Sequence, residues 1–243
     1  VHWLGKPDSM ESDKVPARGF AFEPVEFGGV RGKGLGTLLR LPFNLARAIR
    51  ASRAVIDRVQ PDVVIGMGGY ITAPAGIAAA LNAKPLILHE QNSVPGMANK
   101  LLSRFARRVF TAFPNVFEQT SGKPDARNGK VQWIGNPLRE PFLAQAEPAQ
   151  RFAGRSGPLK LLVVGGSLGA KALNDTVPQA LALIDPAERP LVAHQSGEKQ
   201  LQALQAAYAE ADVDAALLPF IDDTAQAFGE ADIIVCRSGA STV

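Results

Sequence analysis

The stretch VVIGMGGYITAPAGIAAAL, residues 63–81, runs from an apolar segment through Gly66, Gly68 and Gly69 into a helix of small residues with Pro74 near its start. LLVVGGSLGA, residues 161–170, repeats that order of apolar strand, glycine turn and helix, and IIVCRSGAST, residues 233–242, repeats it with Ser238 and Gly239. Short apolar runs also occur at 86–88, 109–110, 131–134, 191–193 and 216–218, each followed by a turn and a helical pattern. Continuous apolar strands alternating with helices predict parallel sheets covered on both faces, so the fold class is α/β. Ligands of open α/β sheets bind beyond the carboxyl ends of the strands, which is where all three glycine turns fall.

A chain of 243 residues with 46% apolar and 20% charged residues can bury a sizeable core in one or two domains. The segment NPLREPFLAQAEPAQRFAGRSGP, residues 136–158, carries four prolines and few core positions. It divides the chain into a domain over 1–140, a linker over 141–158 and a domain over 159–243. The opening VHWLG has no Met and already lies in a strand-like run, and the chain stops at GASTV where a helix should begin. Both domains are therefore read as incomplete.

One cysteine, Cys236, and three scattered histidines exclude a disulfide framework and a thiolate metal cluster, and fit a reducing compartment. No charged-then-apolar leader and no apolar run of about 18 residues is visible. A net charge of +3 suits an anionic substrate or membrane surface. Without a basic stripe interleaved with aromatics it gives no support for nucleic acid.

In the second glycine loop, Gly165 to Ala170, glycines permit close backbone approach, and the helix that follows offers free N–H groups and a positive dipole end. With Ser167 as a hydroxyl donor this is a phosphate cradle; the bland alternative is a tight turn without ligand. The first loop departs from the dinucleotide pattern because Ile71 stands where a third glycine belongs, although Glu90 lies near the spacing of a ribose-binding acid. HEQN, His89 to Asn92, follows the strand PLIL and sets four polar residues at the sheet edge, with a capping role for Asn92 as the alternative. GNPLR places Arg139, whose forked guanidinium suits a diphosphate, after a strand end.

FIDD, Phe220 to Asp223, offers an apolar surface for a base ring; otherwise it plugs the core and caps a helix with aspartate. The two aspartates have no third ligand nearby, so no metal site is assigned. In the basic segment 31–60, an amphipathic crossover helix is expected after Pro42. Before Pro42, Leu35, Leu38 and Leu39 sit among Arg31, Lys33 and three glycines, which predicts an irregular patch resting on anionic headgroups.

Taken in order, RGKG, PDVVIGMGGYITAPAGIAA, HEQNSVPGMANK, GNPLR, VVGGSLGA, HQSG, FIDD and CRSGAST closely resemble the MurG family, the bacterial N-acetylglucosaminyltransferases of peptidoglycan synthesis. The resemblance spans essentially the whole chain. It implies a GT-B fold: two Rossmann-like, doubly wound domains facing a cleft, with acceptor bound by the first and nucleotide sugar by the second.

The implied reaction is inverting transfer of GlcNAc from UDP-GlcNAc to the C4 hydroxyl of the MurNAc of lipid I, giving lipid II. The implied setting is peripheral, on the cytoplasmic face of the bacterial inner membrane, with other cell-wall and division proteins as possible partners and no nucleic acid. Carried over by motif, Arg139, Gly166 and Ser167 would handle the donor diphosphate, and Ile221 would meet uracil. Ala240, Ser241 and Thr242 would line the donor pocket, and Asn92 would contact the transferred sugar. Gly68, Gly69 and Tyr70 would face the acceptor diphosphate.

His89 and Glu90 are the candidates for the general base within this chain, although the family's glycine-loop histidine falls upstream of Val1. The family's ribose-binding acid and pair of glutamines fall beyond Val243. Leu168 stands where the family usually has Gln. No resident cofactor is implied, and a divalent cation would be an optional assistant. The alternatives are a noncatalytic GT-B-like module that binds a nucleotide sugar or a membrane, and a nicotinamide oxidoreductase.

Overall fold

The computed structural model describes residues 1–28, 35–121, 129–166, 168–237 and 239, backbone only at 35–39 and 119–121. The chain divides into two compact units, Val1–Asn136 and Pro137–Val243.

In the first unit the elements run β1 (His2–Gly5), α1 (Met10–Lys14), β2 (Ala21–Pro24), α2 (Leu35–Val59), β3 (Val64–Gly66), α3 (Thr72–Leu81), β4 (Leu86–Glu90), α4 (Met97–Leu102), β5 (Arg108–Thr111), α5 (Val116–Ser121) and β6 (Val131–Trp133). Strands β3-β4-β5-β6 form a parallel sheet in that order, while β1 and β2 pair with each other in a separate parallel ladder. Leu86, Leu88, Leu102, Val109 and Phe117 form the main core of this unit. Small residues in α3 let it lie close to its neighbours. A Cβ added to Gly76 would come within 2.5 Å of the Leu102 side chain, and Ala78 and Ala79 are fully buried against Ile56 of α2.

Helix α2 corrects one expectation. It is a single helix from Leu35 to Val59 and runs through Pro42, where a break and an irregular patch were predicted. Pro42 lies in the second or third turn, so its ring removes one hydrogen bond near the helix start. Burial of Ala48, Ser52 and Ile56 along one face holds the rest. On the opposite face Arg47 pairs with Glu26 at 2.8 Å and Arg58 with Glu23 at 2.5 Å. Glu23 also takes a hydrogen bond from His2 at 2.8 Å. Its carboxyl titrates below the ordinary range: burial acts to raise it, and the His2 and Arg58 contacts together outweigh that.

The second unit contains α6 (Glu140–Leu143), α7 (Pro148–Phe152), β7 (Lys160–Val164), α8 (Lys171–Ala182), β8 (Leu191–Gln195), α9 (Leu201–Glu210), β9 (Ala216–Leu218), α10 (Thr224–Glu230) and β10 (Ile233–Cys236). Its parallel sheet has the order β10-β7-β8-β9. The order reverses between β7 and β10, a topological switch point of the kind that opens a crevice at the strands' carboxyl ends. Leu161, Val163, Leu181, Val192, Leu204 and Tyr208 make one core cluster, and Leu162, Ile221 and Ala231 another.

The stretch read as linker, 141–158, is tied to this second unit. Phe142 meets Phe228 edge-on at 6.1 Å between ring centres. Arg155 donates to Gly229 O at 2.7 Å and Ala231 O at 3.1 Å, and pairs with Asp232. The Lys160 N–H and then Arg155 hold the Asp232 carboxyl below the usual carboxylate range. These contacts close off the C-terminal end of α10, whose last carbonyls lack helical partners.

Candidate functional site

The loop after β7 is shaped by three glycines with different reasons. A Cβ on Gly165 would lie 2.3 Å from the Ala170 nitrogen, and one on Gly169 would lie 1.8 Å from the Ser196 carbonyl oxygen. Both positions exclude side chains by contact. Gly166 has φ +87° and open space beside it, so backbone conformation and access to its face are the constraints there. Helix α8 follows with Ala170 at its N-cap and no side-chain cap from that residue, and the N–H groups of a helix's first turn are donors suited to an anion. β10 pairs directly with β7, Cys236 opposite Val164, so these two strands end side by side.

Arg139 is exposed at the start of α6. It donates to Thr224 Oγ1 at 2.7 Å and its guanidinium lies 5.2 Å from the centre of the Phe142 ring. It is thereby held beside the first residue of α10. Asp223 caps that helix by accepting from the Gln226 N–H at 2.9 Å, which is the capping role left open from the sequence. Ile221 is 8% exposed, in the cluster with Leu162 and Ala231. Its side chain is core, so the apolar side chain available at this strand end is Phe220, 51% exposed.

In the first unit, Gly68 and Gly69 both have positive φ, +85° and +78°. Thr72 at the start of α3 donates its hydroxyl to Gly68 O, and the space beside Gly69 is open. Tyr70 is 55% exposed. The first glycine loop leans on the HEQN strand end: a Cβ on Gly68 would come 3.5 Å from Gln91 Oε1 and 3.8 Å from Asn99 Nδ2.

The strand end itself is organised by Glu90, which is 1% exposed. One carboxylate oxygen accepts from Asn92 N and Asn92 Nδ2, both at 3.0 Å. The other accepts from Gly96 N at 2.9 Å and Asn99 Nδ2 at 3.0 Å. A carboxylate has about four lone-pair sites, and these four donors occupy them. This speaks against two sequence expectations, Glu90 as general base and Glu90 as a ribose-binding acid, because no acceptor capacity is left for a substrate. Its geometry is that of a clamp on the 90–99 loop that orients the Asn92 amide.

His89 is 5% exposed and its Nε2 lies 3.0 Å from Gly135 O, so Nε2 carries the proton and Nδ1 the lone pair. Among the described residues Nδ1 has no hydrogen-bond partner, nor do Asn99 Oδ1 and Asn136 Oδ1. Asn136 donates to Gln91 O at 3.4 Å, joining the GNPLR turn to the same corner. Asn99 was not among the sequence candidates. Its signal was a polar residue on the helix after HEQN, at a position that packing should have made apolar.

Ser167, Ala240, Ser241 and Thr242 lie outside the described residues, as do Arg31 and Lys33 and the side chains of Leu35, Leu38 and Leu39. Among the described residues no group of His, Cys, Asp and Glu side chains is placed to hold a metal ion. No described helix is long and apolar enough to cross a membrane.

Two parallel-sheet units, each carrying a glycine turn between a strand end and a helix, have the fold of a GT-B glycosyltransferase, and the neighbours in structure agree. The chain belongs to glycosyltransferase family 28: residues 1–111 match the N-terminal domain of that family and residues 160–243 its C-terminal domain.

Among its relatives is a protein of Acidovorax sp. (strain JS42) named UDP-N-acetylglucosamine–N-acetylmuramyl-(pentapeptide) pyrophosphoryl-undecaprenol N-acetylglucosamine transferase. It is 66% identical over 243 residues, which are 100% of this chain and 58% of that protein. A protein of the same name from Aromatoleum aromaticum (strain DSM 19018 / LMG 30748 / EbN1) is 55% identical over 100% of this chain and 65% of its own length. The chain thus spans less than two thirds of the length of these relatives. The crystal structure of Acinetobacter baumannii MurG matches with TM-score 0.77 at 36% identity, covering 100% of this chain and 65% of that one. A UDP-GlcNAc 2-epimerase from Neisseria meningitidis matches with TM-score 0.65 at 14% identity, over 99% of this chain and 70% of the epimerase, a likeness of fold alone.

Proposed function

We propose that this chain belongs to an enzyme that moves GlcNAc from UDP-GlcNAc to the C4 hydroxyl of the lipid-linked N-acetylmuramyl pentapeptide, lipid I, with inversion. The observation that carries the donor half of this reading is the switch point between β7 and β10. There the backbone at Gly165, Gly166 and Gly169 and the N-terminus of α8, where Ala170 supplies no side-chain cap, suit a diphosphate. The names of the relatives supply the substrates.

In this reaction the acceptor oxygen attacks C1 of the sugar, the bond from C1 to the β-phosphate oxygen breaks, and UDP leaves carrying the electron pair. Donors fixed in advance against the charge growing on the phosphate lower the barrier without reorganising. Gly166, Ser167, Arg139 and the α8 terminus are assigned that role, and Ala240, Ser241 and Thr242 are assigned to the donor pocket. Phe220 and the backbone of Ile221 take the uracil side. No resident cofactor is part of this proposal.

The first unit is assigned the acceptor, with Gly68, Gly69 and Tyr70 at its diphosphate. Asn92, oriented by Glu90, is assigned to the transferred sugar. Of the two candidates for the base, only His89 keeps an uncommitted lone pair, on Nδ1. Attachment is proposed to be peripheral, at the cytoplasmic face of the plasma membrane through α2. Mixing the complete gene product with UDP-GlcNAc and a soluble lipid I analogue should release UDP together with a disaccharide product. Absence of acceptor-dependent UDP release refutes the reading.

A further inference from the structure

The run HQSG, His194 to Gly197, ends β8 and has no part in the assignments above. His194 is fully buried between α8 and α9. Its Nδ1 lies 2.9 Å from Tyr208 Oη and its Nε2 3.1 Å from Asn174 Oδ1. The Asn174 amide nitrogen donates to Ser196 O at 3.0 Å and to Gln200 Oε1 at 3.2 Å, which fixes the orientation of that amide. Its oxygen must therefore accept from a protonated His194 Nε2, and Nδ1 accepts from the tyrosine hydroxyl. Gln200 is fixed in turn: its oxygen accepts from Asn174, and its nitrogen donates to Leu168 O at 3.1 Å.

This chain of bonds ends on the glycine loop. The Leu168–Gly169 peptide is held from both sides, since the Gly169 N–H donates to Gly166 O at 2.8 Å while the Leu168 carbonyl accepts from Gln200. Glycine at 169, with φ +73°, would otherwise let this peptide turn over. A turned peptide would point its carbonyl oxygen toward the Gly166 side of the loop and set a negative dipole end against an anion. The two turns also interlock sterically: a Cβ on Gly197 would lie 2.4 Å from the Leu168 carbonyl oxygen, and one on Gly169 1.8 Å from that of Ser196.

We infer that Gln200, backed by Asn174, His194 and Tyr208, is a positioning residue for nucleotide binding: it holds the Leu168 carbonyl away from the diphosphate and keeps the loop in its anion-binding form. The inference rests on the donor-site assignment above. Burial also pushes the His194 imidazole down to about 4, which keeps the ring neutral and the tautomer single around neutral pH.

The test uses the complete gene product, with UDP as the titrant in calorimetry and with ligand-free thermal unfolding alongside. Gln200 is only half-buried, so Gln200→Ala should fold. It is expected to weaken UDP binding about three- to tenfold, the scale of one hydrogen bond, with a ligand-free midpoint close to wild type. Gln200→Glu keeps the acceptor for Asn174, loses the donor to Leu168, and should weaken UDP further. In turnover, KM for the nucleotide sugar should rise while KM for the acceptor stays unchanged. Wild-type UDP affinity in Gln200→Ala overturns the inference, as does an equal rise in both KM values. Failure of the unaltered protein to bind UDP would instead overturn the donor-site assignment beneath it.

Discussion

At the scale of single residues, Glu90 separates a structural role from a chemical one. Its two oxygens face four donors, two of them backbone N–H groups that cannot turn away. Glu90→Gln keeps the shape but presents an NH2 to one of those donor pairs, and it removes the charge that strengthens the other. Hydrogen bonds to a buried charge contribute about 1.5 to 3 kcal/mol each, so the substitution should lower unfolding stability by about 3 kcal/mol. Urea denaturation followed by tryptophan emission would read this. A Glu90→Gln protein of unchanged stability that has lost turnover would restore the carboxylate as a base.

At the scale of elements, α2 shows why a local rule misled. Proline and three glycines near 31–42 argued for an irregular chain, and each alone weakens a helix. The helix nonetheless spans Leu35–Val59, because the face of Ala48, Ser52 and Ile56 is buried, with Ile56 packed on Ala78 and Ala79 of α3, and tertiary burial outweighs a local penalty near one end. Continuity has a consequence for the proposed membrane contact. Phe43 is 75% exposed, with Arg40 exposed three residues before it on the same helix. An aromatic ring and a cation carried on one helix face can meet an anionic interface together. Phe43→Glu should therefore lower binding to phosphatidylglycerol vesicles about tenfold or more, since burying such a ring contributes about 1.5 to 3 kcal/mol. Undiminished cosedimentation would remove α2 from the membrane contact.

At the scale of the whole molecule, the strands were legible and their partners were not. All eight apolar runs read as strands are strands, within one or two residues at their ends, because buried parallel strands have few polar positions to blur the signal. Strand β2 was missed: AFEP is short and carries Glu23, whose charge is paired by His2 and Arg58 from elements distant in sequence. The glycine turns were legible as turns, but the reasons for individual glycines were not. Gly169 is required by the Ser196 carbonyl, a contact 27 residues away that no local pattern encodes. The candidate-site residues fell partly to core and partly to scaffold for the same reason. Ile221 and Glu90 occupy positions that a motif fixes, and only their neighbours decide whether the side chain is free.

The buried histidine of the second unit makes stability there depend on pH in a window of its own. Burial lowers the His194 pKa from 6.5 to about 4, so the unfolded chain binds more protons between those values. Stability is then fully present above pH 6.5 and is lost as pH falls toward 4. By linkage the loss reaches about 2 kcal/mol at pH 5. The lowered carboxyls Glu23 and Asp232 have the same sign but act below 4.5 and 3.8, their ordinary values, so they leave the window above pH 4.5 to His194. Hydrogen exchange, corrected for intrinsic rates, should show protection falling in β7, β8, α8 and α9 on moving from pH 7 to pH 5. Protection in β4 and β5, whose core contains no part of this network, should hold. His194→Gln should flatten the dependence even if it lowers stability at pH 7. Equal loss in both units, or loss that persists unchanged in His194→Gln, would show that another group sets the acid limit.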